Sequence, residues 1–266
     1  MPVVRPPAVA GLFYPVDPEQ LAHDVQEFLR EAQPCTLTPK VLVCPHAGYI
    51  YSGAIAASAY ATLRDIAPRI RHVVLLGPAH RVAIHGLALP DADAFDTPLG
   101  RVPLDSDAAR AIANLPQVIV SGEAHRQEHS LEVQLPFLQS VLQDFTLLPL
   151  VVGMASAEEV AAVLEKVWGG EDTLIVISSD LSHYLPYAAA QSLDNRTVID
   201  ILGLQQPVAH DQACGATPIN GLILAARQHR LTPHLLDLRN SGDTAGSKDR
   251  VVGYASIAFV EGEESD

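Results

Sequence analysis

Histidine carries most of the candidate chemistry in this chain, and it is delivered in a repeated way. The apolar run Val41-Leu42-Val43-Cys44 stops at Pro45, and His46 follows at once into the turn Ala47-Gly48. A second run, Arg71 to Gly77, stops at Pro78, and His80 follows after Ala79. Proline cannot donate a ladder hydrogen bond, so each strand is expected to end there. In open α/β sheets, ligands bind beyond the carboxyl ends of the strands. A third apolar run, Thr173 to Ser178, opens into Ser179-Asp180-Leu181-Ser182-His183. Taken singly, a histidine after a strand can serve a loop and Asp180 can cap a turn. Three strands ending in titratable side chains point instead to a shared site.

Two further stretches add candidates. His125-Arg126-Gln127-Glu128-His129 fits H-x-x-E-H, a zinc-peptidase pattern in which two histidines one helical turn apart hold the metal and the glutamate is the base. That reading requires both histidines inside a helix, and Ser130, just after them, is the better helix start. Of the three cysteines, Cys44 reads as core, and Cys214 precedes a predicted helix with Thr217 as N-cap and Pro218 at its first position. An odd, small number of cysteines does not make a disulfide framework, so a reducing cytoplasm is the expected compartment.

The elements that must position these residues alternate between strand and helix. Strands are expected at 41–44, 71–77, 118–120, 145–151, 173–178, 234–238 and 251–260. A β excursion is expected between Leu87 and Leu104. Helices are expected after Asp17-Pro18, over 52–63, 105–115, 131–142, 157–167 and 187–204, and after Thr217. Residues 261–266 read as a frayed acidic tail. With no internal repeat, the pattern gives a single α/β domain over 1–266: a central, mostly parallel sheet flanked by helices. Of the 266 residues, 48% are hydrophobic and 18% charged, enough for one large core. The net charge of −14 argues against nucleic acid or an anionic membrane as partner.

Six short motifs in order carry a family resemblance: Pro45-His46-Ala47-Gly48-Tyr49, Gly77-Pro78-Ala79-His80, Glu128-His129-Ser130-Leu131-Glu132, Ser178-Ser179-Asp180-Leu181-Ser182-His183, Cys214-Gly215 and Gly253-Tyr254-Ala255. Together they resemble the Memo family from about Arg5 to Phe259. The resemblance implies a fold similar to the class III extradiol (LigB-like) dioxygenases, which are non-haem iron enzymes. It also implies a role as protein B of the AmmeMemoRadiSam system, beside AMMECR-like and radical-SAM partner proteins.

Residue by residue, the resemblance implies His46, His80 and Cys214 as metal ligands, and Asp180, His183 and His129 as catalytic or orienting groups. Two imidazoles and a thiolate suit Fe(II), Cu or Zn with positions left open. A thiolate in place of the dioxygenases' glutamate shifts preference toward softer ions, so ring cleavage does not follow from the resemblance. The helix dipole and a bound metal would both favour the Cys214 thiolate. Two readings stay open: a metal-binding redox or oxygenase-like protein acting on a small phenolic or anionic substrate, and a non-catalytic adaptor for a peptide or partner protein, with Lys248 or Arg250 helping from a loop. A zinc hydrolase is the lesser alternative.

Overall fold

A computed structural model describes residues 2–262. Its main sheet is built on four parallel strands: β2 (Pro39–Cys44), β3 (His72–Pro78), β8 (Thr146–Val152) and β9 (Thr173–Ser178), in the spatial order β2-β9-β3-β8. Their apolar, β-branched sequences suit strands buried on both faces. Neighbouring side chains alternate between the faces. Leu42 and Cys44 join one core, with helices α1 (Pro18–Glu31), α2 (Tyr49–Tyr60) and α5 (Leu135–Val141). Val41 and Val43 join the other, with α6 (Ala157–Lys166), α7 (Tyr187–Leu202) and α8 (Ala216–Gln228). Each fully buried leucine, such as Leu21 or Leu222, contributes roughly 1.5–3 kcal/mol.

Antiparallel strands extend the sheet at both sides. Beside β2 lie β12 (Val251–Glu261) and β11 (Leu231–Asn240), with the short β10 (His183–Leu185) pairing the start of β12. Beside β8 lie β4 (Leu87–Leu89) and β7 (Val118–Val120). The β excursion expected after Leu87 is therefore split: β4 joins the main sheet, while β5 (Ala94–Thr97) and β6 (Gly100–Pro103) form a small separate sheet with β1 (Val4–Arg5). Two further short helices, α3 (Ser106–Ile112) and α4 (Gly122–Arg126), complete the set among the described residues.

Helix starts follow the local chemistry in most places. Asp17 caps α1 by accepting from Gln20 N, with Pro18 in the first turn, as its sequence predicts. Two starts differ. Ser130 does not cap α5; its hydroxyl donates to Pro78 O, and a 3-10 turn, Glu132–Gln134, intervenes. Likewise α8 begins at Ala216 with Gly215 as its cap, two residues ahead of the expected Thr217. The expected acidic tail begins one residue later than Val260 suggests, since Glu261 belongs to β12, and residues 263–266 lie outside the described residues. No helix among the described residues is long and apolar enough to cross a membrane.

Candidate metal centre

The carboxyl ends of β2, β3 and β9 deliver His46, His80 and the Ser178–Asp180 turn to one edge of the sheet. A fourth segment, between α4 and the 3-10 turn, brings Glu128 and His129 to the same place. The candidate ligand atoms of His46, His80 and His129 all lie within 4.8 Å of one another. Ring centroids are 5.2 Å apart for His46 and His80, 5.4 Å for His46 and His129, and 4.6 Å for His80 and His129. Among the described residues, this is the group of histidine, cysteine or acidic side chains that could hold a metal ion.

Polar partners stand behind the rings. His46 is buried, with Nδ1 2.9 Å from Ser178 Oγ. His80 Nδ1 lies 2.9 Å from Glu128 Oε1, and its backbone N–H donates to Glu128 Oε2 at 2.6 Å. Ser130 N–H also donates to Glu128 Oε1, at 2.9 Å. His129 Nδ1 is buried with no hydrogen-bond partner; Glu128 Oε1 is 3.4 Å away without hydrogen-bond geometry. A buried imidazole nitrogen without a hydrogen-bond partner, beside two other convergent imidazoles, is a donor set that fits a transition metal.

Burial pushes His46 well below, and His129 below, the usual imidazole range, so both are neutral and able to ligate at pH 7. Burial pushes Glu128 the other way, but the His80 and Ser130 hydrogen bonds outweigh it and hold the carboxyl at about 2.

Cys214 stands beside this group. Its Sγ is 3.4 Å from His46 Nε2 and accepts from Asp180 N–H at 3.3 Å. Gly215 permits the approach, because a Cβ there would fall 2.6 Å from Ser179 Cβ. Gly77 does the same on the other side, where a Cβ would fall 2.7 Å from Ser130 Oγ. The expectation of a thiolate at Cys214 meets an opposing force. Burial pushes the thiol up to about 12, and the Asp180 carboxylate acts in the same direction, so the metal-free cysteine keeps its proton.

Asp180 is buried, and its Oδ1 accepts from the backbone N–H of His46 at 2.8 Å. It therefore holds the main chain of His46; behind the imidazole itself stands Ser178. His183 is exposed on β10, with Nδ1 bonded to Leu181 O at 2.8 Å. His129 and Asp180 open onto a cavity of about 480 Å3, which His183 also lines. Phe13, Tyr51, Tyr184 and Tyr254 supply its aromatic walls, and Arg250 its positive charge. Lys248 instead packs over the Tyr187 ring, 4.5 Å from its centroid. A hollow of about 560 Å3 lies at the opposite end of β3, around His72, away from this chemistry.

The zinc-peptidase pattern does not assemble. His125 lies in α4, which ends at Arg126, so the two histidines do not share a helix. The His125 ring is buried against Phe95 with Nε2 2.8 Å from Ala88 O, and it is absent from the convergent group. Glu128, the base of that pattern, serves His80 and two backbone amides instead.

The His129 segment is fixed by a buried ion pair that no local motif announces. Arg5, buried on β1, donates from Nε to His125 O and from Nη2 to Glu128 O, both at 2.7 Å. Its Nη1 is 2.7 Å from Glu132 Oε2. Glu132, also fully buried, accepts in addition from Ala8 N, Val9 N and the Tyr14 hydroxyl. A lone charge in the proline-rich start of the chain and a lone acid in the apolar run after Ser130 were the signals for this pair.

Fold and site together define an α/β protein whose sheet edge carries a partly buried three-histidine group able to hold a metal ion. A family model described as Memo-like protein matches residues 5–258. MEMO1 family proteins of Methanosarcina barkeri and Aquifex aeolicus are 36% and 37% identical to it. The first alignment covers 96% of this chain and 99% of the relative, the second 97% and 99%. The chain belongs to the Memo family. A crystal structure of an uncharacterized Escherichia coli K12 protein shares the fold, with a TM-score of 0.54 at 17% identity over 82% of this chain and 98% of that one.

Proposed function

We propose that this protein is a metal-binding redox or oxygenase-like protein acting on a small phenolic or anionic substrate in the cavity beside His129. The convergence of His46, His80 and His129 carries this reading. Cys214, next to His46, is proposed as a further ligand, as the family resemblance implies. Fe(II), Cu or Zn fits the donor set, and such an ion would supply Lewis-acid or redox chemistry at the cavity floor.

The chain's own residues define what enters. Tyr51, Tyr254 and Phe13 offer flat apolar walls to a ring, and Arg250 offers a guanidinium to an anionic group. Burial pushes the Asp180 carboxyl, which lines the cavity, up from its ordinary range. His183, exposed at the rim with Nε2 free of partners, is placed to exchange protons with solvent.

The test is a metal inventory of protein purified without added ions, followed by titration with Fe(II), Cu and Zn. One equivalent bound by the wild type, and sharply weaker binding by Cys214→Ser, are the expected results. Absence of binding by any of the three ions ends the proposal, and unchanged affinity in the serine variant removes Cys214 from the ligand set.

A second reading, the adaptor, is supported by exposed apolar groups around the cavity. Leu12 and Ile50 are each next in sequence to a wall residue or within the same helix, and Tyr184 is itself a wall residue. The partners in that reading are the AMMECR-like and radical-SAM proteins. Capture of either partner by His46→Ala and by metal-stripped protein, as well as by the wild type, favours it.

A further inference from the structure

The hydrogen bonds behind His46 and His80 contain more information than their lengths. Glu128 Oε2 accepts from His80 N–H and Oε1 accepts from Ser130 N–H, so both carboxyl oxygens face donors and His80 Nδ1 carries the proton directed at Glu128 Oε1. The same question at His46 is answered by counting hydrogens on Ser178. Its hydroxyl lies 2.6 Å from Ser130 O, which only accepts, so the single Ser178 proton goes there. Gln134 Nε2 donates to Ser178 Oγ at 2.7 Å, and the orientation of that amide is itself fixed: the same nitrogen donates to Pro45 O, while Oε1 accepts from the Tyr60 hydroxyl. Toward His46, Ser178 Oγ therefore has only a lone pair left, and His46 Nδ1 must be the donor.

We propose that Glu128 and Ser178 are positioning residues that lock His80 and His46 in the same tautomer, Nδ1–H, so that both Nε2 atoms are unprotonated toward the histidine group, with the Cys214 thiol the hydrogen-bonding neighbour of the His46 Nε2 lone pair. The inference rests on the metal-binding reading for its purpose and not for its geometry. A metal-ligating histidine is oriented, and made more basic, by a hydrogen bond from its other nitrogen to an acceptor. Here one acceptor is a carboxylate anchored by two backbone amides, and the other is a hydroxyl at the end of a buried Tyr60-Gln134-Ser178 chain.

The consequence is a site that loses little freedom on binding. Both imidazoles point the same nitrogen inward, and neither must rotate to present it. Glu128→Gln breaks this at His80, because an amide has a single accepting oxygen: His80 N–H meets one carboxylate oxygen, and His80 Nδ1–H with Ser130 N–H meets the other. Ser178→Ala removes the acceptor behind His46, and Ser178→Thr retains it.

The experiment is long-range 1H–15N correlation NMR on metal-free protein labelled in its histidines, with Zn2+ titration of each variant. In the wild type, His46 and His80 are expected to show protonated Nδ1 and bare Nε2. In Glu128→Gln the His80 pattern changes, in Ser178→Ala the His46 pattern changes, and Zn2+ affinity falls about 10- to 100-fold in each. Ser178→Thr is expected to restore both readouts, which separates tautomer control from packing. Protonated Nε2 on either histidine of the wild type overturns the proposal, as do variants with unchanged tautomers. Locked tautomers in a protein that binds no metal would uphold the lock and defeat the metal reading instead.

Discussion

His46 and His80 reach the site by one route and His129 by another. The first two follow directly from buried parallel strands, so their backbones are fixed by ladders on β9 and, for β3, also on β8. Their rings are fixed by Ser178 and Glu128. His129 follows no strand. Its segment is fixed by the buried ion pair of Arg5 with Glu132, by Arg5 bonds to two carbonyls, and by packing of its ring on Phe13, 4.7 Å between centroids. The strand-borne histidines take their placement from the hydrophobic core, whereas the loop-borne one takes it from buried charge. Core placement is distributed over many small contacts, and charge placement is concentrated in a few strong ones.

The concentrated side should break first. Arg5→Met leaves the Glu132 carboxylate fully buried without its countercharge, and a broken buried pair costs about 3–5 kcal/mol. Urea unfolding should register that loss. Amide exchange should accelerate over 128–133 before it does in β2 or β3, since only the first segment depends on the clasp. A loss below about 1 kcal/mol, or equal acceleration in both regions, removes the distinction between the two routes.

The same contrast explains what could be read in the sequence. Strand-Pro-His at 46 and 80 is a local pattern: apolar run, ladder stop and imidazole lie within a few residues. The parallel strand 173–178 was equally legible, because continuous β-branched burial has no competing explanation over that length. The role of His129 in the convergent group was not legible. Its position depends on a bond between residues 127 apart, Arg5 and Glu132, and on Glu128 choosing His80 over His125. Nor did helical periodicity expose α4, whose five residues are too short for a repeat. Long-range polar pairing leaves only a trace in sequence, here one charge in each of two apolar surroundings.

His125 sharpens the comparison from within the loop-borne side. It lies four residues from His129, yet it is held in the interior by Ala88 O and Phe95, and burial pushes it down to about 4. The unfolded chain takes up a proton on this residue near 6.5, while the folded chain stays neutral until about 4. Its contribution is therefore complete above pH 6.5 and is lost as pH falls toward 4, by about 3 kcal/mol in all. His125→Gln keeps a donor for Ala88 O but cannot titrate. Wild type and variant should converge in stability between pH 7.5 and 4.5; a gap that stays constant would show that His125 is not held neutral.

The smallest expected effect asks whether the loop-borne histidine is replaceable. Without His80, the group loses a ring that Glu128 has oriented, and no other donor among the described residues stands behind it. Without His129, Cys214 still lies 3.4 Å from His46 Nε2 and can serve as the third ligand. That substitution carries a penalty, because a buried thiol must give up its proton to bind a metal while a neutral imidazole need not. His129→Ala is therefore expected to weaken Zn2+ binding only about 10-fold, close to 1.4 kcal/mol, and His80→Ala by at least ten times more. The double variant His129→Ala with Cys214→Ser should lose more than the two single losses combined, since either single variant leaves three donors and the double leaves two. Additive losses would mean that Cys214 and His129 act independently, neither able to replace the other.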